Sequence, residues 1–376
     1  MDAEETTVHW KETGAERSAR WRSEAGVPAP KRVVIADDRT KADSAFRFAC
    51  EGTAMLWRGD YHNARQLLDA IARRIDKPRK TRAAPSSASE AFHLHRQAQS
   101  QRARTLSMLL LQFEPDHTLK LRRAPDAREA LQEVFGEVDA RYVISLRELL
   151  GIIGAHEWRR KGVDVPAAGG RIHPHYGVFA PIRSEYVKLV AEAPLPSTAC
   201  AYDIGTGTGV LAAVLARRGL KRVVATEVDP RALDCARENI ERLGLADRVQ
   251  VVEADLFPEG RAPLVVCNPP WVPARPSSAL ERAVYDHESR MLRGFLAGLR
   301  DHLEPGGEGW LLLSDIAEHL GLRTRDELMG SIADAGLQVL GRIDARPTHP
   351  KSADRTDPLF AARSAEVTSL WRLRAG

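Results

Sequence analysis

From Gly170 onward, short β-branched runs alternate with helical stretches, and this alternation limits the possible folds more than any other feature. Repeats of this kind imply a mostly parallel sheet with helices on both faces. The strands read as Ala201–Ile204, Arg222–Glu227, Val249–Glu253, Leu264–Cys267, Gly309–Ser314, Gln338–Asp344 and Val367–Leu373. Helices fall between them at Val210–Arg218, Pro230–Leu243, Ser289–Leu303 and Arg325–Ala335. A loop rich in Pro, Asp and Lys, Pro347 to Pro358, joins the last two strands, so an antiparallel hairpin should close one sheet edge. The expectation is an α/β fold: a seven-stranded, doubly wound sheet, antiparallel only at its last strand.

At 376 residues the chain exceeds one average domain. Residues 1–42 are polar and punctuated by Pro28 and Pro30, and read as a partly disordered lead-in with Trp10 and Trp21 as anchors. Residues 43–165 carry helical patterning and predict a mainly helical N-terminal domain with a possible part in substrate recognition. Its pieces are Asp43 to Ile75 with a break at Gly59-Asp60, Ser89 to Leu111, Ala127–Phe135 and Ile144–Arg160. Residues 166–376 form the α/β domain. The basic run Arg73 to Arg82 could meet RNA or DNA phosphates or simply be a solvated loop.

Hydrophobic residues make up 43% and charged ones 28%, as in ordinary globular proteins. A net charge of +4 is compatible with a nucleic-acid or acidic partner without identifying either. No apolar stretch approaches the roughly twenty residues that span a bilayer, and the acidic start has no signal-peptide core. The scattered Cys50, Cys200, Cys235 and Cys267 have neither disulfide nor zinc spacing. A cytoplasmic protein with no membrane partner and no metal is expected. His173 and His175 are read as structural or substrate-edge residues.

Asp203-Ile204-Gly205-Thr206-Gly207-Thr208-Gly209 ends the first of these strands and opens a helix. Glycines there allow a tight turn and close backbone approach to a ligand. Dinucleotide sites want G-x-G-x-x-G; this loop is G-x-G-x-G after an acid. A carboxylate at that point disfavours pyrophosphate and suits a ligand carrying an ammonium and a sulfonium. The segment resembles the class I S-adenosylmethionine-dependent methyltransferases, in which such a loop cradles the methionine part of the cofactor. The resemblance implies a Rossmann-like methyltransferase fold with S-adenosyl-L-methionine held by Asp203, Gly205, Thr206, Gly207 and Gly209. It further implies that Glu227 accepts the ribose hydroxyl protons, Asp255 accepts from the adenine amine, and Leu256 or Phe257 lies against the ring.

The fourth strand runs into Asn268-Pro269-Pro270-Trp271. The prolines fix φ and remove two backbone donors, leaving an acceptor-rich surface: the Asn268 amide oxygen and the Pro269 carbonyl. Two acceptors converging on one NH2 group would hold it and aim its nitrogen, with Trp271 as a stacking face. The element resembles the signature of amino-group methyltransferases: the release-factor glutamine N5-methyltransferases, the small-domain ribosomal RNA guanine-N2 methyltransferases and the adenine-N6 enzymes. Most glutamine enzymes have Tyr where this chain has Trp271. Upstream, Gly177-Val178-Phe179 resembles the lead-in of the small-domain RNA enzymes, and Pro181-Ile182-Arg183-Ser184-Glu185 is similar to a piece of the glutamine enzymes with different spacing. Phe179 and Arg183 are thereby implied to cover the cofactor and the methyl-transfer site; a plain strand–turn before the domain is the alternative reading of the segment. The polar stretch Pro273 to Arg290 reads as a flexible substrate lid.

The resulting expectation is transfer of a methyl group to a planar amide or exocyclic amine nitrogen of a protein glutamine or an RNA or DNA base. Asn268, Pro269, Pro270 and Trp271 form the acceptor site. A small-molecule N-methyltransferase, or a non-catalytic module of the same fold that binds nucleic acid or protein, is the alternative.

Overall fold

The computed structural model describes residues 6–77, 85–276, 280–347 and 354–376. The chain divides into two compact units, one made of Met1–Ala84 with Leu94–Glu157 and the other of Pro85–His93 with Trp158–Gly376. Among the described residues no helix is long and apolar enough to cross a membrane.

The N-terminal unit is built on a sheet, which corrects the expectation of a mainly helical domain. Its strands are β1 (Thr7–Glu12), β2 (Ala15–Trp21), β3 (Arg32–Ala36), β4 (Thr53–Trp57), β5 (Leu109–Phe113) and β6 (Tyr142–Ser145), in the order β1-β2-β6-β5-β4-β3. Helices α1 (Ala42–Cys50), α2 (Tyr61–Ile75), α4 (Arg128–Phe135), the part of α3 (Ala88–Leu106) from Leu94 on and the part of α5 (Leu146–Lys161) up to Glu157 lie between or after them. Every residue of β4 and β6 is buried. Strands buried on both faces read as continuous apolar runs, and periodicity alone cannot separate a run of five from a helical segment. Met55-Leu56-Trp57 therefore blends into a helical stripe in the sequence, and Leu109–Phe113 into the end of α3.

From Thr6 on, the expected polar lead-in forms strands β1, β2 and β3. Val8 and Trp10 are buried between exposed neighbours, a period of two, and Thr13-Gly14, both at positive φ, turns β1 into β2. Asp60 caps α2 by accepting from His62 N at 2.9 Å and binds Arg122 and Arg123. Of the basic run, Arg74 pairs with Asp43, and residues 78–82 lie outside the described residues.

After Pro85–His93 and the last turn of α5, the C-terminal unit continues with a small hairpin, β7 (Val163–Val165) and β8 (Gly170–Ile172), then α6 (Glu185–Glu192). Its main elements are β9 (Cys200–Ile204), α7 (Val210–Arg217), β10 (Arg222–Glu227), α8 (Pro230–Arg242), β11 (Val249–Glu253), β12 (Ala262–Cys267), α9 (Arg290–His302) and β13 (Leu303–Ser314). There follow α10 (Ile316–His319), α11 (Arg325–Asp334), β14 (Leu337–Ala345), α12 (Phe360–Ala365) and β15 (Thr368–Ala375). The seven strands stand in the order β11-β10-β9-β12-β13-β15-β14. All pairings are parallel except those of β15, which is antiparallel to β13 and β14. The expected hairpin is therefore present, with β14 at the edge and β15 inserted beside β13. Its connection carries α12, which the composition of that loop hides.

Burial explains the strand pattern here. Apolar–polar alternation is absent from β12 because Leu264, Val265, Val266 and Cys267 are all buried, between β9 on one side and β13 on the other. Strand order reverses at β9, with β10 on one side and β12 on the other. Open α/β sheets bind ligands outside the strand C-termini at such a switch point.

Candidate active site

Gly205, Gly207 and Gly209 have φ of +69°, +57° and +79°, in the left-handed region where a Cβ is strained. The loop they form is fastened by Thr206 N to the Thr226 carbonyl at 2.9 Å and by Gly207 N to Glu227 Oε2 at 3.1 Å. The other Glu227 oxygen accepts from Val228 N and Asp229 N. Asp203 is buried, and its Oδ2 accepts from Thr206 Oγ1 at 2.6 Å and from Ala212 N at 3.0 Å. Burial pushes its carboxyl up to about 6 against the pull of those two bonds. Asp203 thus organises the loop and the first turn of α7 from inside.

Asp255 follows β11 and is exposed, paired with Arg290 at 2.9 Å. Leu256 adopts φ +73° and its carbonyl accepts from Thr226 Oγ1 at 2.6 Å. Phe257, an alternative for the adenine face, stacks on Phe295 and on His302 at 4.2 Å. Its ring belongs to the core under α9.

Register places the acceptor element next to this loop. Cys267 pairs with Ile204, so Asn268 and Gly205 leave neighbouring strands at the same level. Asn268, Pro269 and Trp271 line a cavity of about 170 Å³ together with Phe179, Arg183 and Tyr186. Val272, Tyr285, Leu359 and Phe92 complete much of its apolar wall. Phe92, whose segment is part of this unit, is not singled out by the sequence. Nothing in an amphipathic helical stretch distinguishes it from an ordinary core residue.

Trp271 does not present a bare face. Its Nε1 donates to Asn268 Oδ1 at 2.9 Å, and the Arg183 guanidinium lies over its ring at 4.7 Å. Arg183 in turn pairs with Glu185 and with Glu366, which also accepts from Ser314 Oγ. The sequence assigns neither glutamate a role.

The described part of Pro273 to Arg290 is pinned rather than loose. Val272 bridges to Tyr285, and buried Asp286 accepts from Met291 N and Leu292 N at the start of α9; residues 277–279 lie outside the described residues. His173 and His175 are tied into the scaffold. His173 Nδ1 meets the Arg159 carbonyl at 2.6 Å, and His175 Nε2 meets Glu238 at 2.7 Å.

Residues 171–324 match the family model of the methyltransferase small domain. That stretch runs from β8 past α10 and contains both the glycine loop and Asn268-Pro269-Pro270-Trp271. A release factor glutamine methyltransferase of Cereibacter sphaeroides is 33% identical over 182 residues, 44% of this chain and 63% of the relative. A tRNA1(Val) (adenine(37)-N6)-methyltransferase of Shewanella loihica is 28% identical over 186 residues, covering 46% and 74%. A ribosomal protein L11 methyltransferase of Pelotomaculum thermopropionicum is 55% identical over 69 residues, only 18% of this chain and 22% of the relative. The chain therefore spans between 22% and 74% of the length of these relatives. A solved methyltransferase of Pyrococcus furiosus shares 20% identity, with a TM-score of 0.37 and coverage of 54% and 91%.

Proposed function

We propose that the methyltransferase small domain of this chain is an S-adenosylmethionine-dependent N-methyltransferase acting on a planar amide or exocyclic amine nitrogen. The observation that carries this reading is the placement of Asn268 and Pro269 on a cavity wall, one strand from a glycine loop at the switch point of the sheet. The residues fit the cofactor. A Cβ built on Gly207 would meet nothing within 4 Å, so the loop leaves room for a ligand against its backbone. Three backbone N–H groups occupy Glu227, which leaves about one lone pair, on Oε2, for a hydroxyl donor, and Asp255 is exposed enough to leave Arg290 for an amine.

When bound, the cofactor supplies an electrophilic methyl on a positively charged sulfur. The protein's task is then orientation and exclusion of water. The Asn268 oxygen and the Pro269 carbonyl take the hydrogens of the acceptor NH2 and leave its nitrogen lone pair free. The aromatic and aliphatic walls around Trp271 keep competing water away from it. No covalent intermediate on the protein is required.

The relatives named for a tRNA adenine and a release-factor glutamine both imply planar, NH2-bearing acceptors on macromolecules. A macromolecular acceptor, protein or RNA, is our reading for this chain as well. The test is incubation of purified protein with methyl-labelled cofactor and a cell extract separated into RNA and protein. Label should enter one fraction, and Asn268→Ala should lower it by roughly 100-fold or more with cofactor affinity kept, the scale of losing an orienting contact. Undiminished transfer by that variant would refute the assignment.

A further inference from the structure

We infer that Arg183 and Trp271 are positioning residues that lock the Asn268 carboxamide in its acceptor orientation. The consequence for catalysis rests on the function proposed above; the lock itself does not. An indole N–H can only donate, so its 2.9 Å bond forces the oxygen of Asn268, not its NH2, toward Trp271. One lone pair of that oxygen is used and one is left. The amide cannot turn over without breaking this bond.

Trp271 is itself held. The Arg183 guanidinium sits 4.7 Å above the ring, close enough for a cation–π attraction. Arg183 has little freedom, because Nε binds Glu185 and Nη2 binds Glu366 at 3.0 Å. Side-chain exposure is 22% for Arg183, 4% for Glu185 and 6% for Glu366, so water screens these contacts weakly. Glu366 Oε1 also accepts from Ser314 Oγ at 2.6 Å. One oxygen of Glu185 is buried with no hydrogen bond, which leaves this carboxylate dependent on Arg183. The two glutamates come from the start of α6 and from the residue after α12, distant in sequence. Two buried carboxylates converge on one arginine, and its remaining open face is laid on the tryptophan beside the acceptor site. Arg183 thereby acts through Trp271 on Asn268, in place of the cofactor contact that sequence resemblance implied.

The experiment follows the Trp271 indole N–H in 15N-labelled full-length protein, its resonance assigned by its loss in Trp271→Phe. In the native protein it should exchange slowly with solvent. Arg183→Met should speed exchange about tenfold or more, Arg183→Lys less, and Asn268→Ala at least as much as Arg183→Met, as expected when a bond of about 1.4 kcal/mol is lost. If Arg183→Met fails to fold because its glutamates are left unpaired, Arg183→Met/Glu185→Gln/Glu366→Gln removes the stranded charges and serves instead. Unchanged exchange in the folded arginine variants would overturn the inference.

The kinetic arm expects Trp271→Phe and Arg183→Met to keep cofactor affinity within about twofold while kcat falls about tenfold or more. Loss of cofactor affinity with unaltered exchange would return Arg183 to the cofactor site and sink the proposal. Should the native protein methylate nothing, the functional reading fails, and the exchange measurement still decides the lock.

Discussion

Asp203→Asn tests how the glycine loop is organised. The buried carboxyl is pushed from 3.8 up to about 6, chiefly by burial. In the unfolded chain it titrates near its ordinary value. Because the folded form holds its proton more tightly, the ionised carboxylate weakens the fold. That penalty is absent below about pH 4, grows as pH rises through the window from about 4 to 6, and is complete above it. About two pH units at roughly 1.4 kcal/mol each give ~3 kcal/mol. Asparagine removes the charge and still offers an oxygen to Thr206 Oγ1 and Ala212 N, although neutral bonds are weaker than charge-assisted ones. Roughly half the gain should survive, about 1–2 kcal/mol, or about 3–6 °C in the melting of a unit this size. The assay is denaturation of the C-terminal transition from about pH 4 to about pH 8, taken separately from the other unit. The variant should gain over the native protein as pH rises and lose that margin toward about pH 4. A margin independent of pH, or a variant weaker than native at the alkaline end, would refute the account of Asp203 as a buried, strained anchor.

Gly205→Ala should cost more than a generic loop change. Its φ is +69° and the new methyl would meet Met291 Cε at 2.3 Å. That Met291 methyl is the far end of a flexible side chain and can swing aside, so the cost comes from the left-handed φ, which alanine disfavours; the loop distorts and cofactor affinity should fall by roughly tenfold, checked by calorimetric titration with the cofactor. In the other unit, burial pushes Glu148 up to about 7, opposed by the Glu24 backbone N–H. By the same sign, Glu148→Gln should stabilise the N-terminal unit at about pH 8, with the advantage shrinking as pH falls from about 7 toward about 4.5. Denaturation midpoints at the two ends of that range would expose an error if the advantage were equal.

The C-terminal sheet was legible because its elements alternate in type and end on glycine, acid or proline. Helix α8, for example, has Asp229 as cap and Pro230 in its first turn, a start signal readable without a structure. The loop glycines were legible for the same reason, since their conformations forbid most other residues. The N-terminal sheet was not, because β4 and β5 show no alternation, and the Gly52 and Gly59-Asp60 that bracket β4 read equally well as breaks between helices. Helix α12 was masked by the polar, proline-bearing segment around it. Within the site, Asn268 and Trp271 could be named, but not their bond. A sequence shows donors and acceptors without saying which pair are satisfied by each other. Glu366 was out of reach altogether: it lies far beyond Asn268 in the chain and carries no local signal.

That bond changes what the proposed acceptor element could select. Read from the sequence, Asn268 and Pro269 offer carbonyl oxygens with no preferred orientation for the asparagine, whose amide could as well turn its NH2 outward. With the indole N–H on Oδ1, turning the amide would bring two donors face to face and strand the half-buried Trp271 nitrogen, a cost of about 1–3 kcal/mol. A group facing the Asn268 oxygen must therefore donate. A planar ligand presenting NH2 satisfies the remaining lone pair, whereas one presenting a carbonyl at the same place meets oxygen against oxygen. Preference for an amine edge over a keto edge then follows from a tryptophan held from behind by Arg183, and not from the asparagine alone. The ring's polar edge is spent on the neighbouring amide, and its apolar body still closes the cavity.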